Sequence, residues 1–529
     1  MQITSSGYAG VQAAPYQQIN HGVMISFMRT VASGIKFFTI GQSRIQGRDI
    51  IKGGGSTVSF FDKYQLTDYT ARTKSWSVSR RLGQFPYGTI MAQADVELDN
   101  NDNMFLPNYD NVIGSGTGQP YRPIKISAGI GLDSFKQFTG FTTQPDSSLS
   151  ERTTTLHAYD VFDFMNHYDI TASGVHIDKY FHEIVEEELE AAGFAASQFV
   201  LDKSLQQKIG FLPTNGLKLG DLIKRGCEAE QGLAFVDENG IIRFWNRQHM
   251  TTVSGTNLPH QLSYNNVRDI RWQNTPAINH VIVRAKPRAL MAKQLIWQLE
   301  TPIEVLPGTE KSYFCDFVDD NGVMPVTSVD IPAYAGVSSS FTTNLASDAS
   351  GDTASDSIRL SYAYLFGNQY LVKFINSNTS SVYITSLNLY GTPVKVTNII
   401  EETYLDAPSI DQQGRNPTNG GEPLVIENDL IQDRSTAYSL AYTLVKEYKD
   451  PRKRLVCPVF ANPAAQIGDP VTVYINETNQ TVQTHIVGME TKMSDNANLE
   501  QEWELEERSI KQYFTIGLSR IQGSHSIAP

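Results

Sequence analysis

The run Asp99-Asn100-Asn101-Asp102-Asn103 comes nearest, by residue type and spacing, to holding a metal. Asp99, Asn101 and Asn103 match the first three ligand positions of a calcium loop, which offers hard oxygen ligands at alternate residues. The match stops there. The sixth position is Met104, where a helix–loop–helix site needs Gly for its turn, and the twelfth is Asp110 instead of Glu. A polar turn closing a strand is the simpler reading. Gly114-Ser115-Gly116-Thr117-Gly118 imitates a phosphate-cradling loop, which requires a helix N-terminus behind it. Here Gln119-Pro120-Tyr121-Arg122-Pro123 leads into a strand. His182-Glu183-Ile184-Val185-Glu186 lacks the second histidine of a zinc-protease helix and reads as a solvated helix face. A nucleophilic triad assembles across a fold and leaves no local spacing to find; no nucleophile elbow is present. Cys227, Cys315 and Cys457 are too few and too scattered for a disulfide framework or a zinc site. No catalytic, metal-ligating or cofactor-binding residue is assigned, and the chain reads as a non-enzyme.

One short peptide is used twice. It runs Phe38–Gly47 (FTIGQSRIQG) and again Phe514–Gly523 (FTIGLSRIQG), differing at Gln42 and Leu518. Tandem repeats at a short fixed period would mean a solenoid; these two copies flank everything else. They read as one docking element used at two sites. Phe38 and Ile40, or Phe514 and Ile516, alternate onto one face of a short strand, which Gly41 or Gly517 then bends. Arg44 and Ile45, or Arg520 and Ile521, complete the candidate contact. Burying such a Phe and Ile contributes roughly 1.5–3 kcal/mol each. Two destinations stay open: a socket on a neighbouring subunit, or the open edge of the chain's own sheet as an added strand.

The elements that must carry these peptides follow from composition and period. A chain of 529 residues should hold three or four domains. Its 24 Tyr, 25 Phe, 39 Gly and 23 Pro lean toward short strands and turns. The formal charge of −13 speaks against a sequence-independent nucleic-acid binder, which neutralises phosphates with Lys and Arg. It suits a passage that DNA must traverse without sticking. The N-terminus lacks a charged region followed by an apolar stretch, and no window approaches the ~20 apolar residues of a membrane helix. The expectation is a chain that folds in the cytoplasm without stable membrane insertion.

Residues 1–57 read as an extended arm with one apolar patch, Val23–Met28, followed by the first decapeptide. Residues 58–149 read as a first β-barrel. Trp76-Ser77-Val78-Ser79 and Ala94-Asp95-Val96-Glu97-Leu98 alternate as half-buried strands do, and 121–128 with 135–142 form a hairpin. Residues 150–268 form a small α/β domain. Ile177, Tyr180, Phe181, Ile184, Val185 and Leu189 place a helix that stops at Gly193, with Glu183, Glu186, Glu187, Glu188 and Glu190 on its solvated face. A second helix covers about 219–231, and Asp237–Gly240 turns a hairpin. Residues 269–402 read as a second β-barrel with a loop-rich insertion. Residues 403–455 supply a polar connection and a helix over 435–449. Residues 456–510 close the second barrel, and 511–529 carry the second decapeptide.

Several of these stretches resemble the tail-hub, tail-tip or minor tail proteins of long-tailed bacteriophages. One is Ala92–Asn100, followed by Phe105-Leu106-Pro107, Arg122–Ile126 and Phe138-Thr139-Gly140-Phe141. Another is Ala461-Asn462-Pro463 with Ile467–Val473, Ile486–Met489 and Lys492-Met493-Ser494. The resemblance runs over roughly 38–510. It implies a mainly β, multidomain architecture with a smaller α/β part, two β-barrels per chain, and a homotrimer whose six barrels form a pseudo-sixfold ring. Such a ring would adapt a sixfold tail tube to a threefold tip in the virion. It would contact a distal tail or tail-tube protein, a tape-measure protein and a fibre or receptor-binding protein, and DNA only in transit. Many relatives add a peptidoglycan-cleaving domain after the hub, and nothing domain-sized follows Arg508 in this sequence. Two alternatives stay open: a carbohydrate-binding receptor protein, with Tyr362, Tyr364, Phe366 and Tyr370 as platform or core, and a cell-wall hydrolase.

Overall fold

The computed structural model describes residues 19–25, 66–81, 87–106, 122–130, 132–171, 173–251, 260–263, 266–275, 277–319, 322–334, 339–354, 357–494 and 498–507. Alternation builds a first β lobe. Ala92–Asp99 buries Ala92, Ala94, Val96 and Leu98 and turns Gln93, Asp95 and Glu97 outward. Thr73–Arg81 lies beside it with Trp76 and Val78 inward. Thr153–Tyr159, Asp133–Thr142 and Pro123–Ile130 follow across the same sheet. The described part of the arm's expected apolar patch, Val23–Ile25, lies in a strand. Ile19–Ile25 pairs antiparallel along the length of Pro123–Ile130, with Val23 and Ile25 fully buried.

Close approach makes one glycine indispensable here. A Cβ on Gly140 would sit 2.3 Å from the Tyr159 carbonyl oxygen and 2.5 Å from the Phe138 ring. The carbonyl is fixed by the neighbouring strand, so neither contact yields cheaply. Gly140→Ala should cost about 1–3 kcal/mol, the usual range for overpacking. A lowered urea midpoint at unchanged m-value would register it; an unchanged midpoint would contradict it.

A second lobe forms from Lys453–Phe460, Pro470–Ile475, Gln480–Met493 and Leu499–Glu507 around Leu455, Cys457, Val471, Ile486, Trp503 and Leu505. The two lobes are adjoining parts of one sheet. Thr73–Arg81 pairs antiparallel with Gln480–Met493, from Trp76 opposite Met493 to Arg81 opposite Gly488. This seam joins chain segments some four hundred residues apart, a pairing that no local pattern can announce.

The α/β unit sits against both lobes. Helices Val161–His167, Phe181–Ala191 and Leu219–Glu230 pack with strands Phe199–Leu201, Ile242–Trp245, Leu233–Val236 and Gly88–Ile90. Val175–Lys179 is a strand paired with Ile209–Pro213, so the helix begins four residues after Ile177. Glu183 accepts from the Tyr180 amide at 2.9 Å and fixes that start. Gly193 follows the helix at φ +94°, the stop its position suggests. Glu188 is a correction. It lies at the seventh step from Phe181, on the same stripe as Ile184 and Val185, and is buried at 2% exposure.

The chain re-enters the same core later. His280–Ala285, Ile400–Leu405 and Leu424–Asn428 make a three-stranded sheet covered by helix Arg434–Tyr448. Ala437, Leu440, Ala441, Leu444 and Val445 of that helix are buried against Val281 and Val283, as the stripe predicts. The polar 405–422 connection is less superficial than its composition suggests. Asn416, at φ +32° and 2% exposure, accepts from the Asn279 amide, and the Asn416 amide donates back to the Asn279 side chain, both at 2.9 Å.

Strands between Gln294 and Leu389 close on a core of their own, with Ile296, Val305, Phe317, Val372, Phe374 and Ile384. The stretch read as one barrel over 269–402 thus divides. Arg271–Asn274 joins the second lobe, His280–Ala285 joins the α/β core, and 294–389 stands on its own. The molecule is mainly β and multidomain, and no described helix is long and apolar enough to cross a membrane.

Candidate interaction surface

Strand period two gives the shared sheet one dry face and one wet face, and the wet face crosses the seam without a break. Ser77 lies opposite Asp95 on one side and Lys492 on the other; Lys492 in turn lies opposite Glu500. One step along, Ser79 meets Glu490, which meets Glu502. Arg81 ends the ladder and reaches three carboxylates, Glu490 at 2.7 Å, Glu502 at 3.1 Å and Glu504 at 3.4 Å. Arg454 takes Glu504 at 2.6 Å, Arg268 takes Glu500 at 2.9 Å, and Arg271 takes Glu502. Lys492 takes Glu490 at 2.8 Å, so each of the cations named here is paired with a carboxylate. Between the lobes the face dips into a cleft of about 480 Å³ lined by Ser75, Ser77, Asp95, Glu97, Lys492 and Glu500. The chemistry is that of a wet, charge-paired contact surface.

A buried ionic knot fixes the two lobes beneath it. Arg80 of the first lobe pairs with Glu238 of the Asp237–Gly240 turn at 3.1 Å, with side-chain exposures of 5% and 6%. The second lobe's Gln466 side chain donates to the other Glu238 oxygen. Thr139 donates to the Glu238 carbonyl at 2.7 Å, and the Gln137 amide reaches the Pro463 carbonyl at 2.8 Å. The hairpin turn expected at Asp237–Gly240 therefore serves as the pin between lobes. Sequence reasoning passed over Arg80 and Glu238 because their partners lie far along the chain.

One cluster has the residue types of a nucleophilic triad. Ser173 Oγ lies 3.2 Å from His176 Nε2, and Glu187 Oε2 lies 3.2 Å from His176 Nδ1. A triad base, however, needs a free nitrogen facing the hydroxyl. Here Glu188 Oε1 accepts from His176 Nε2 at 2.6 Å, from Ser173 at 2.6 Å and from Thr214 at 2.7 Å. Burial pushes the Glu188 carboxyl up, but the bonds from His176, Ser173 and Thr214 outweigh it and hold it below the ordinary range. The serine hydroxyl is tied to a carboxylate rather than activated. The cluster instead seats a turn of the separate β unit, since the Gly367 amide donates to the Ser173 carbonyl at 2.9 Å.

Asp102 is held by both Arg72 guanidinium nitrogens, at 2.9 and 2.7 Å, and Asn100 is buried between the Phe105 amide and Thr154. Asn103 turns the chain at φ +59°. The loop is thus a self-satisfied turn closing a strand. His182 lies beside Ser204, with Nδ1 at 3.2 Å from the hydroxyl. All three cysteines are buried and free, and burial raises their thiols, Cys457 to about 12. Phe366 and Tyr370 are core residues. Gly114–Gly118 lies outside the described residues, as do both decapeptides with Phe38, Ile40, Arg44, Ile45, Phe514, Ile516, Arg520 and Ile521.

No family model and no curated protein matches the chain. Solved structures do. The prophage MuSo2 43 kDa tail protein from Shewanella oneidensis has a TM-score of 0.45 and 11% identity over 84% of this chain and 96% of that one. A tail protein from Neisseria meningitidis MC58 has 0.42 and 9% over 84% and 93%. The prophage tail protein gp18 from Listeria monocytogenes EGD-e has 0.40 and 9% over 86% and 94%. These three structures are phage tail proteins; at TM-scores below 0.5 the likeness itself carries no argument about function.

Proposed function

We propose that this chain is a structural hub of a phage tail tip. The observation that carries the proposal is the seam: two β lobes with separate cores, set side by side in one sheet and locked by Arg80 and Glu238. Three such chains bring six lobes to a ring, which adapts a sixfold tube to a threefold tip. The stretches that resemble tail hubs lie on matching parts of this plan, Ala92–Asp99 beside the seam in the first lobe and Pro470–Ile475 next to Gln480–Met493 in the second. The charge-paired wet face suits either packing between subunits or a lumen that passes DNA without holding it. In this reading the chain works in the virion, is assembled in the host cytoplasm, and carries no catalytic step. The tube or distal tail protein, the tape-measure protein and a fibre or receptor-binding protein are its neighbours, and each decapeptide is a docking element, for a neighbouring subunit or for the chain's own sheet edge.

Light scattering on the purified chain tests this directly. The expected mass is about three times the 58.8 kDa of one chain. A single-chain mass in solution, together with one copy per particle tip, would sink the proposal.

A further inference from the structure

The shared sheet has an unfinished edge, and its place in the fold says what finishes it. Arg271–Asn274 pairs with Lys453–Phe460 and, among the described residues, with no strand on its other side. In an antiparallel pair alternate N–H and C=O groups point away from the partner, so this edge offers backbone donors and acceptors to solvent. All four residues are exposed. Arg271 turns to the wet face, where it meets Glu502. Trp272 turns to the other face, opposite buried Leu455, and remains 39% exposed at the rim of the second lobe's core, with the Lys453 ammonium 4.8 Å from its ring centre. Some two-fifths of a large aromatic is left uncovered beside an open backbone edge, an arrangement that favours an added strand.

The chain supplies a strand within reach. Leu499–Glu507 lies two strands in from this edge, and its last residue is at the Asn274 end, since the Lys453 amide donates to Glu507 and Lys453 lies opposite Asn274. A strand added outside this edge lies three strand spacings from Leu499–Glu507, ~14 Å. The seven steps from Glu507 to Phe514 span up to ~23 Å when extended. Phe514-Thr515-Ile516 alternates apolar, polar, apolar, so one orientation lays Phe514 and Ile516 over Trp272 and leaves Thr515 on the wet face. The first copy of the decapeptide lies, in sequence, between Ile19–Ile25 and Thr67–Asp68, the strands at the opposite end of the same sheet. The repeated peptide is thus tethered near both ends of one sheet, which points to sheet edges as what it recognises.

We infer that residues 514–523 dock on the Arg271–Asn274 edge of their own chain, as an antiparallel strand covering Trp272. The inference does not rest on the hub reading. The test is deuterium uptake of the segment 266–275 in the full-length protein and in the F514A/I516A variant, each at two concentrations a hundredfold apart. The expected result is uptake roughly tenfold faster in the variant, as one strand of local protection is lost, with wild-type protection unchanged by dilution. Equal uptake in the two proteins would overturn the inference. Protection that disappears on dilution would overturn it too, by assigning the strand to a second copy. A variant that loses protection throughout the sheet would be replaced by T515P, which removes one strand donor while keeping both apolar side chains; unchanged uptake there would likewise overturn it.

Discussion

Glu238→Ala should destabilise the folded chain by about 3–5 kcal/mol, the cost of leaving a buried charge without its partner. Arg80 is 4% exposed, and its guanidinium has Glu238 as its carboxylate partner at 3.1 Å. Removing that carboxylate also strands the Gln466 side chain that bonds it. The comparison that separates this ionic origin from general damage is the double variant R80M/E238L. It removes both charges and refills the volume, so it should recover most of the loss, because paired buried ions are often replaceable by apolar residues at little cost. Urea denaturation of the two single variants and the double one gives the cycle. Additive losses would mean that Arg80 and Glu238 act independently and that the pin between lobes is an illusion of proximity. The functional consequence follows from position: the knot ties the first lobe, the Asp237–Gly240 turn and the second lobe together, so its loss should also lower the stoichiometry measured by light scattering.

The second large effect is a pH dependence. Glu506 is 5% exposed, and burial pushes its carboxyl up to about 7, against the opposing pull of Arg452, 3.6 Å away, and Arg454. A carboxyl whose folded pKa is raised binds its proton more tightly in the folded state than in the unfolded chain. Its favourable contribution is therefore complete below about pH 4.5 and is lost as pH rises through about 7. Glu506→Gln keeps the shape and cannot ionise. Relative to the native chain, the variant should gain about 3 kcal/mol of stability between pH 4.5 and pH 8, at 1.36 kcal/mol for each pKa unit. Unfolding midpoints of both proteins at the two pH values measure it as a difference of differences, which cancels any fixed cost of the amide beside Arg452. A constant gap across that range would show that Glu506 ionises in the fold as easily as in the open chain.

Glu188 marks how far the sequence could be read. Five glutamates on one helix suggest a solvated face, and four of them have access to water. The fifth sits at the spacing of the apolar stripe, and that spacing was the available signal. Charge points outward there and period points inward, and the fold resolves the conflict by surrounding Glu188 with His176, Ser173 and Thr214. The knot of Arg80 and Glu238 carried no such signal, because its members contribute one residue each from segments far apart.

Local pattern by itself placed a strand around Ala94–Leu98, helices over about 219–231 and 435–449, and the hairpin turned at Asp237–Gly240, where the fold has Ala92–Asp99, Leu219–Glu230 and Arg434–Tyr448. Period two and period 3.6 are short-range properties that a strand or helix displays wherever it ends up. The repeated decapeptide was legible in the same way, as an identity between two segments. What only the tertiary structure decided was membership: that Thr73–Arg81 pairs with Gln480–Met493, that 294–389 keeps a core of its own, and that Arg271–Asn274 has, among the described residues, a strand on one side only. Backbone hydrogen bonds are alike at every residue and carry no address. Which strand takes which neighbour is settled by the cores that close around them and by the few buried polar groups, such as Glu238, that accept only one arrangement.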